Sequence, residues 1–468
     1  MLGVPKSTLH DHTWAYANAI PKLREYERKR EEKSHRLLVR AALTCCLVAK
    51  ASARDCAQTI STLFNMRVSH QTILRILKLA SECIRPTQEG IDLGAIDSIA
   101  CDEIFQKSQP ILGAIDLNSA YLMLGECQDR SASSWQTFLA DLKQRGLSPA
   151  SATIDGGLGM TKGLTEVFPQ TQLVRDLFHV LRKLTKASKK MEGVCYSLIN
   201  EVDKNRDLQD VCLKQDLAIN LFDRFYELRS RLHRASYLIR NDLTPSEVEK
   251  MELRKVISDI CEVLGAFIDK VNASPVIRSA RTYLESSQQQ MLAYKAMIDA
   301  HAKAHFGEQH THLAQYFLMP LAERISQYQG TYENREKSDR LGREIASLRA
   351  CFRSFPFCSE EVDRAINAAT EIYTKTHKAS SLIECVNSVI RRHLQSFQSI
   401  PSWFPNLFTF YWNFRRFKRG KRKGYAPIEL MTGQTFKGDW LDIILDRFPY
   451  DKVRKAVKMS ALPIGLAA

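Results

Sequence analysis

The hydrophobic period changes twice along this chain, near residues 96 and 185, and those changes limit its fold more than any motif. From 96 onward apolar residues come in short runs bounded by turns: "IDSIACDEIF", "PILGAIDLNSAYLMLGECQD" with "DLNSA" as a hairpin-like turn, "SATID" and "TQLVRDLFHV". Helical segments separate the later runs. "SASSWQTFLADLKQRGL" puts Trp135, Phe138, Leu139 and Leu142 on one face, and "TKGLTEVFP" is a short helix. The predicted order is strand, strand, strand, helix, strand, helix, strand, helix. Three hairpin-linked strands followed by β-α units make a mixed sheet covered by helices. From about 185 to 375 strand signals vanish, and segments such as "FDRFYELRSRLHRASYLI" keep a helical period with polar outer faces. One more helix, "SSLIECVNSVIRRHLQSF", is expected at 380–397.

Charge narrows the choice of partner. The 468 residues carry 67 Lys and Arg against 52 Asp and Glu, a formal net charge of +15. That excess suits a polyanion, nucleic acid before membrane. The longest apolar-leaning stretch, Leu37 to Ala49, has 13 residues and contains Arg40, whereas a spanning helix needs about 20 apolar residues. No membrane role is expected. The 12 cysteines form no CxxC pair, so they read as free thiols of a reducing cytoplasm. His301, His305, His310 and His312 have loosely metal-like spacing without cysteines, and a polar helix end or loop is the simpler reading.

Residues 52–80 fit a helix-turn-helix. Ser52 with Asp55 three positions on marks a helix start, and Ala57, Ile60 and Phe64 form its apolar face. "NMRV" is a turn. Ser69 caps a second helix that carries Ile73, Leu74 and Leu77 inward and leaves His70, Gln71 and Arg75 outward. The same residues would serve a plain helical hairpin, and the net charge favours DNA binding. Residues 1–12 resemble the turn and second helix of another such unit. Its first helix would precede Met1, so the expectation is a start internal to a longer chain. Residues 22–36 read as a solvated mixed-charge helix or linker. Near the other end, seven of the nine residues 415–423 are cationic: Arg415, Arg416, Lys418, Arg419, Lys421, Arg422 and Lys423. With Tyr411, Trp412, Phe414 and Phe417 interleaved, this run is expected to touch the DNA backbone.

Three acids remain. Asp102 is expected at the end of the first strand, Asp155 ends the run "SATID", and Glu384 lies on the helix after the long helical block. Acids at adjacent strand ends and one on a packed helix can hold two hard divalent cations, Mg²⁺ or Mn²⁺, about 3.5–4 Å apart. Asp155 is followed by Gly156 and Gly157, which reads either as a turn or as backbone cleared for a scissile phosphate. Glu103 rivals Asp102, while Glu371 and Glu429 rival Glu384. Alternation along a strand sends 102 and 103 to opposite faces.

The stretches "IACDEIF", "ATIDGGLGM" and "LIECVNSVIRRHLQSF", with the tail "FRRFKRGKRKGYAPIELMTG", resemble the DDE-type transposases of bacterial insertion sequences. "RDLFHV" resembles the Asp/Cys-x-x-His signature of hAT and Mutator-like elements, with Asp176 and His179 expected on the strand after Asp155. The resemblance implies an RNase H-like α/β catalytic core interrupted by a large all-α insertion, behind an all-α helix-turn-helix region. The division is then 1–90 for DNA binding, 91–185 for the first part of the core, 186–375 for the insertion, 376–435 for the last catalytic helix and basic tail, and 436–468 for a C-terminal tail. It further implies Asp102, Asp155 and Glu384 as metal ligands, and cleavage and strand transfer on double-stranded DNA. Asp176 and His179 become accessories near the cleaved nucleotide, and the form expected is a homo-oligomer on DNA in a bacterial cytoplasm. A non-catalytic DNA-binding regulator, or a decayed transposase, is the second reading, and a stand-alone RNase H-like nuclease the third.

Overall fold

The computed structural model describes residues 34–204, 209–236, 252–307, 318–329, 335–353, 359–377, 380–420 and 422–454. The half-motif at 1–12 lies outside them, as do Lys421, His310, His312 and the end of the C-terminal tail. The first described helix, α1, covers residues 34–48 and ends in a π-turn, Thr44–Val48. α2 is Ala53–Phe64 and α3 is His70–Glu89. The Ser52 hydroxyl accepts the Asp55 amide at 3.2 Å and the Ser69 hydroxyl accepts the Thr72 amide at 3.2 Å. Each satisfies one amide of a helix start that has no partner within the helix. Asn65 closes α2 in the left-handed region, φ 50°.

The sheet has five strands in the order β3-β2-β1-β4-β5. They are β1 Ser98–Gln106, β2 Gln109–Asp116, β3 Leu122–Glu126, β4 Ser151–Ile154 and β5 Gln172–Arg175. β1, β2 and β3 form an antiparallel meander, whereas β4 and β5 run parallel to β1. Antiparallel neighbours need only short turns, and parallel ones need crossovers. Helices α4, Ala132–Gln144, and α5, Leu158–Val167, supply the crossovers. The predicted order of strands and helices is the observed one.

Three residues differ from expectation. Asp102 is not at a strand end, because β1 runs on to Gln106 and pairs with β2 as far as Gln106↔Gln109. Asp176 and His179 are not on a strand. β5 stops at Arg175 and helix α6, Leu177–Lys204, begins two residues later. The Asp176 carboxylate accepts the Phe178 amide at 2.8 Å, so it starts this helix.

The described residues from 177 to 375 contain no strand. α6, α7 (Gln209–Ser236), α8 (Leu253–Lys270) and the first half of α9 (Pro275–Phe306) enclose one apolar cluster. The second half of α9 shares another with α10 (Met319–Gln329), α11 (Arg335–Arg353), α12 (Ser359–Lys375) and Val174 of β5. At 32 residues α9 is roughly 48 Å long and ties both clusters together.

The chain returns to the sheet through α13, Ser381–Leu394, and α14, Phe404–Phe414. α14 covers the edge strand β3. Asn413 accepts the Leu122 amide and donates to the Leu122 carbonyl, both at 2.8 Å, which occupies groups that would otherwise be an open edge. After α15, Pro427–Thr432, the helix α16, Trp440–Arg447, closes on the front helices. Arg36 pairs with Asp446 and Arg40 with Asp442. One continuous apolar core joins α1–α3, the sheet, α13, α14 and α16. The chain ends its described part in a short helix, α17, Asp451–Arg454.

Candidate active site

Strand register brings the acids together. β1 and β4 pair as Ser98↔Ser151, Ile99↔Ala152 and Ala100↔Thr153. Continued by two residues, that register sets Asp102 beside Asp155, close enough for the charge of one to act on the other. β4 and β5 end their pairing at Ile154↔Arg175, so the next residue pair is Asp155 beside Asp176. Three acids thus line up across neighbouring parallel strands, at the carboxyl ends of β4 and β5. That edge is where open α/β sheets bind ligands.

α13 adds the fourth acid from above. Asn387 donates to an Asp102 carboxylate oxygen at 2.5 Å, and Glu384 sits one turn earlier on the same face. His179 connects the rows. Its Nδ1 is 3.0 Å from Asp176 Oδ2, and its Nε2 is 3.7 Å from Glu384 Oε1. The Ser380 hydroxyl, just before α13, also donates to Asp176.

The electrostatics follow from these contacts. Burial pushes the Asp102 carboxyl up to about 7 against the opposing Glu103 amide bond, and the charges of Glu384 and Asp155 push the same way. Burial also pushes Asp176 up, but hydrogen bonds from His179, Ser380 and the Phe178 amide outweigh it and hold the carboxyl below its usual range. The Asp176 bond raises His179, burial opposes it, and the charges of Asp176, Asp155 and Glu384 add to the rise. An ionised Asp176 makes Nδ1 the donor and leaves Nε2 facing Glu384.

Asp155 is held mostly by its backbone. Its carbonyl accepts the Tyr283 hydroxyl at 2.5 Å and Arg175 Nη1 at 2.7 Å, while its carboxylate accepts the Gly157 amide at 2.9 Å. The glycines make room for the protein's own atoms. Gly156 has φ +89°, and a Cβ there would lie 1.1 Å from Arg175 Nη1. A Cβ on Gly159 would lie 2.2 Å from the Arg130 carbonyl oxygen. Glu103, next along β1, accepts Trp135 Nε1 at 3.1 Å and stands 3.8 Å from Arg130, although the charge of Asp155 still reaches it. Glu429 is buried against Arg416 and accepts the Ala426 and Phe436 amides. Glu371 is exposed on α12.

The donors of Asp102, Asp155 and Glu384 are all carboxylate oxygens, which suit hard divalent cations. As the side chains stand, no group of three His, Cys, Asp or Glu among the described residues encloses an ion. Each carboxylate is instead turned to protein: Asp102 to Asn387, Asp155 to Gly157 and Glu384 towards His179.

The expected DNA contacts divide into two sets. Gln71 and Arg75 are exposed on α3, and the half-buried His70 lies 3.3 Å from Gln71. In the basic run, Lys418, Arg419 and Lys423 are exposed. Arg415 lies 3.9 Å over the Trp412 ring, Arg416 is ion-paired with Glu429, and Arg422 donates to the Leu117 and Asn118 carbonyls. The interleaved Tyr411, Trp412 and Phe414 are buried core, not stacking platforms. His301 bonds Thr376 at 3.2 Å and His305 packs on Phe306. Sequence reasoning missed Ser380, Arg175 and Tyr283, whose relevance depends on contacts across the fold.

The model of a family described as "Transposase, Mutator family" matches residues 114–249, a span that includes Asp155, Asp176 and His179. The transposase for insertion sequence element IS6120 of Mycolicibacterium smegmatis is 35% identical over 98 residues, 20% of this chain. The aligned part spans 28% of that relative's length.

Proposed function

We propose that the chain is a DDE-type DNA transposase with an RNase H-like core, in which Asp102, Asp155 and Glu384 hold two Mg²⁺ or Mn²⁺ ions. The observation that carries this reading is the β1–β4 register, which continued by two residues sets Asp102 beside Asp155, under a helix whose Asn387 bonds Asp102 and whose Glu384 reaches His179. The mixed sheet, the long helical block before Glu384 and the Mutator-family match at 114–249 support it.

Ions held there would make a potent nucleophile of water, or later of a 3′-hydroxyl, and stabilise the leaving oxygen. The protein's own groups do the rest. Asn387 fixes the Asp102 carboxylate. The Asp176–His179 pair holds an imidazole against Glu384, so α13 stays in register with the strand edge. The reaction is cleavage at the ends of an insertion sequence followed by transfer of those ends to target DNA. α3 and the exposed lysines and arginines bind the duplex, and two ends call for two copies of the chain.

The test is strand cleavage of a duplex carrying an element end. Asp102→Asn, Asp155→Asn and Glu384→Gln should each abolish Mg²⁺-dependent cleavage and leave duplex binding within about two-fold, because each removes a charged ligand of a two-ion site. Near-normal cleavage by any one of them removes that residue from the triad.

A further inference from the structure

We infer that Tyr283, in the middle of the helical insertion, is a positioning residue for Asp155. The inference rests on the metal-site reading above and adds a function for the insertion.

The β4–β5 ladder ends with the Asp176 amide on the Ile154 carbonyl at 2.9 Å. The next carbonyl, that of Asp155, has no strand to accept from. It takes two donors: the Tyr283 hydroxyl at 2.5 Å and Arg175 Nη1 at 2.7 Å. Arg175 is 4% exposed and fills the space that a side chain on Gly156 would need. Its Nη2 donates to Gln290 at 2.9 Å. Tyr283 and Gln290 are seven residues apart, so they lie on one face of α9. The Arg175 guanidinium sits 5.2 Å from the centre of the Tyr283 ring, and Lys183 packs 4.5 Å from it.

The result is a latch. One helix of the insertion grips the backbone of a proposed metal ligand directly and, through Arg175, a second time. The neighbouring proposed ligand on β1, Asp102, is gripped by Asn387 of α13. With the Asp155 carbonyl fixed, its carboxylate has few directions to point. Partners that orient ligands typically change metal affinity or activity by about 10–100-fold when removed.

Tyr283→Phe removes one hydrogen bond and keeps the ring. Mn²⁺ affinity is measured by titration calorimetry on the full chain, with Asp155→Asn as reference, together with melting temperature and kcat and KM on the element-end duplex. The expected result is Mn²⁺ binding weakened by about 10-fold. A lower kcat with unchanged KM, and a melting temperature close to wild type, should accompany it. Gln290→Ala should show the same pattern with a smaller loss. Mn²⁺ affinity and kcat equal to wild type in Tyr283→Phe would overturn the positioning role alone. Wild type and Asp155→Asn binding Mn²⁺ alike would overturn the metal site itself, and the inference with it.

Discussion

Gly156 shows how a residue's reason can lie elsewhere in the chain. Asp-Gly-Gly reads as a turn or as clearance for a ligand, and in the fold the clearance is for Arg175. No local pattern identifies Arg175 as that occupant. Gly156→Ala must both adopt φ +89° and displace a buried guanidinium. It should cost roughly 2–4 kcal/mol of stability in chemical denaturation, the range for strained backbone combined with a disrupted buried network. His393 provides a pH test. It is 3% exposed, and burial, with Lys50, Arg415 and Arg392 adding, lowers its pKa from 6.5 to about 4. Between those values the unfolded chain binds a proton that the folded chain refuses. Its contribution is therefore intact above pH 6.5 and falls as the pH drops towards 4, by at most roughly 3 kcal/mol. His393→Phe, among Phe404 and Phe408, should flatten stability against pH in that window. An unchanged slope would mean that another group governs it.

At the scale of elements, caps and periodicity were legible and boundaries near the site were not. Ser52 and Ser69 cap their helices as read, and the strand–helix order from β1 to α6 is the predicted one. β1 ran on past its two acids because its pairing with β2 extends to the turn, which "CDEIF" does not announce. "RDLFHV" looked like a strand because it is apolar, but Asp176 caps a helix there and turns His179 back onto the carboxylate. The aromatic run before the basic residues is apolar all round because α14 is buried between β3 and the front helices. The second helix of the front pair carries its own prediction. Arg75→Ala should weaken binding to element-end DNA by about 1–3 kcal/mol and random DNA much less, if Arg75 reads a base edge. Equal losses in a competition assay would make it a phosphate contact.

At the scale of the whole molecule, the front helices, the sheet and the C-terminal helices share one core, so α3 and the basic run, the proposed DNA-binding surfaces, are carried by the same body as the acids. No helix among the described residues is long and apolar enough to cross a membrane. Arg416 and Arg422 spend their donors inside the protein, whereas Lys418, Arg419 and Lys423 face solvent. Neutralising those three should flatten the slope of log affinity against log salt by up to about 0.9 for each phosphate that is no longer neutralised, without lowering the melting temperature. Arg416→Ala should instead destabilise the fold, because it leaves the buried Glu429 unpaired. An unchanged salt slope would assign the exposed three to a solvated face.

The convergence of Asp102, Asp155 and Glu384 on one bound ion pair is the central claim, and hydroxyl-radical mapping tests it most directly. Fe²⁺ replaces Mg²⁺, ascorbate and peroxide generate radicals at the bound ion, and the backbone is cut beside its ligands. Cuts are expected near residues 102, 155 and 384, suppressed together by excess Mg²⁺ and abolished together in Asp155→Asn. Cuts at only one of the three, or cuts that Mg²⁺ leaves untouched, would contradict the convergence.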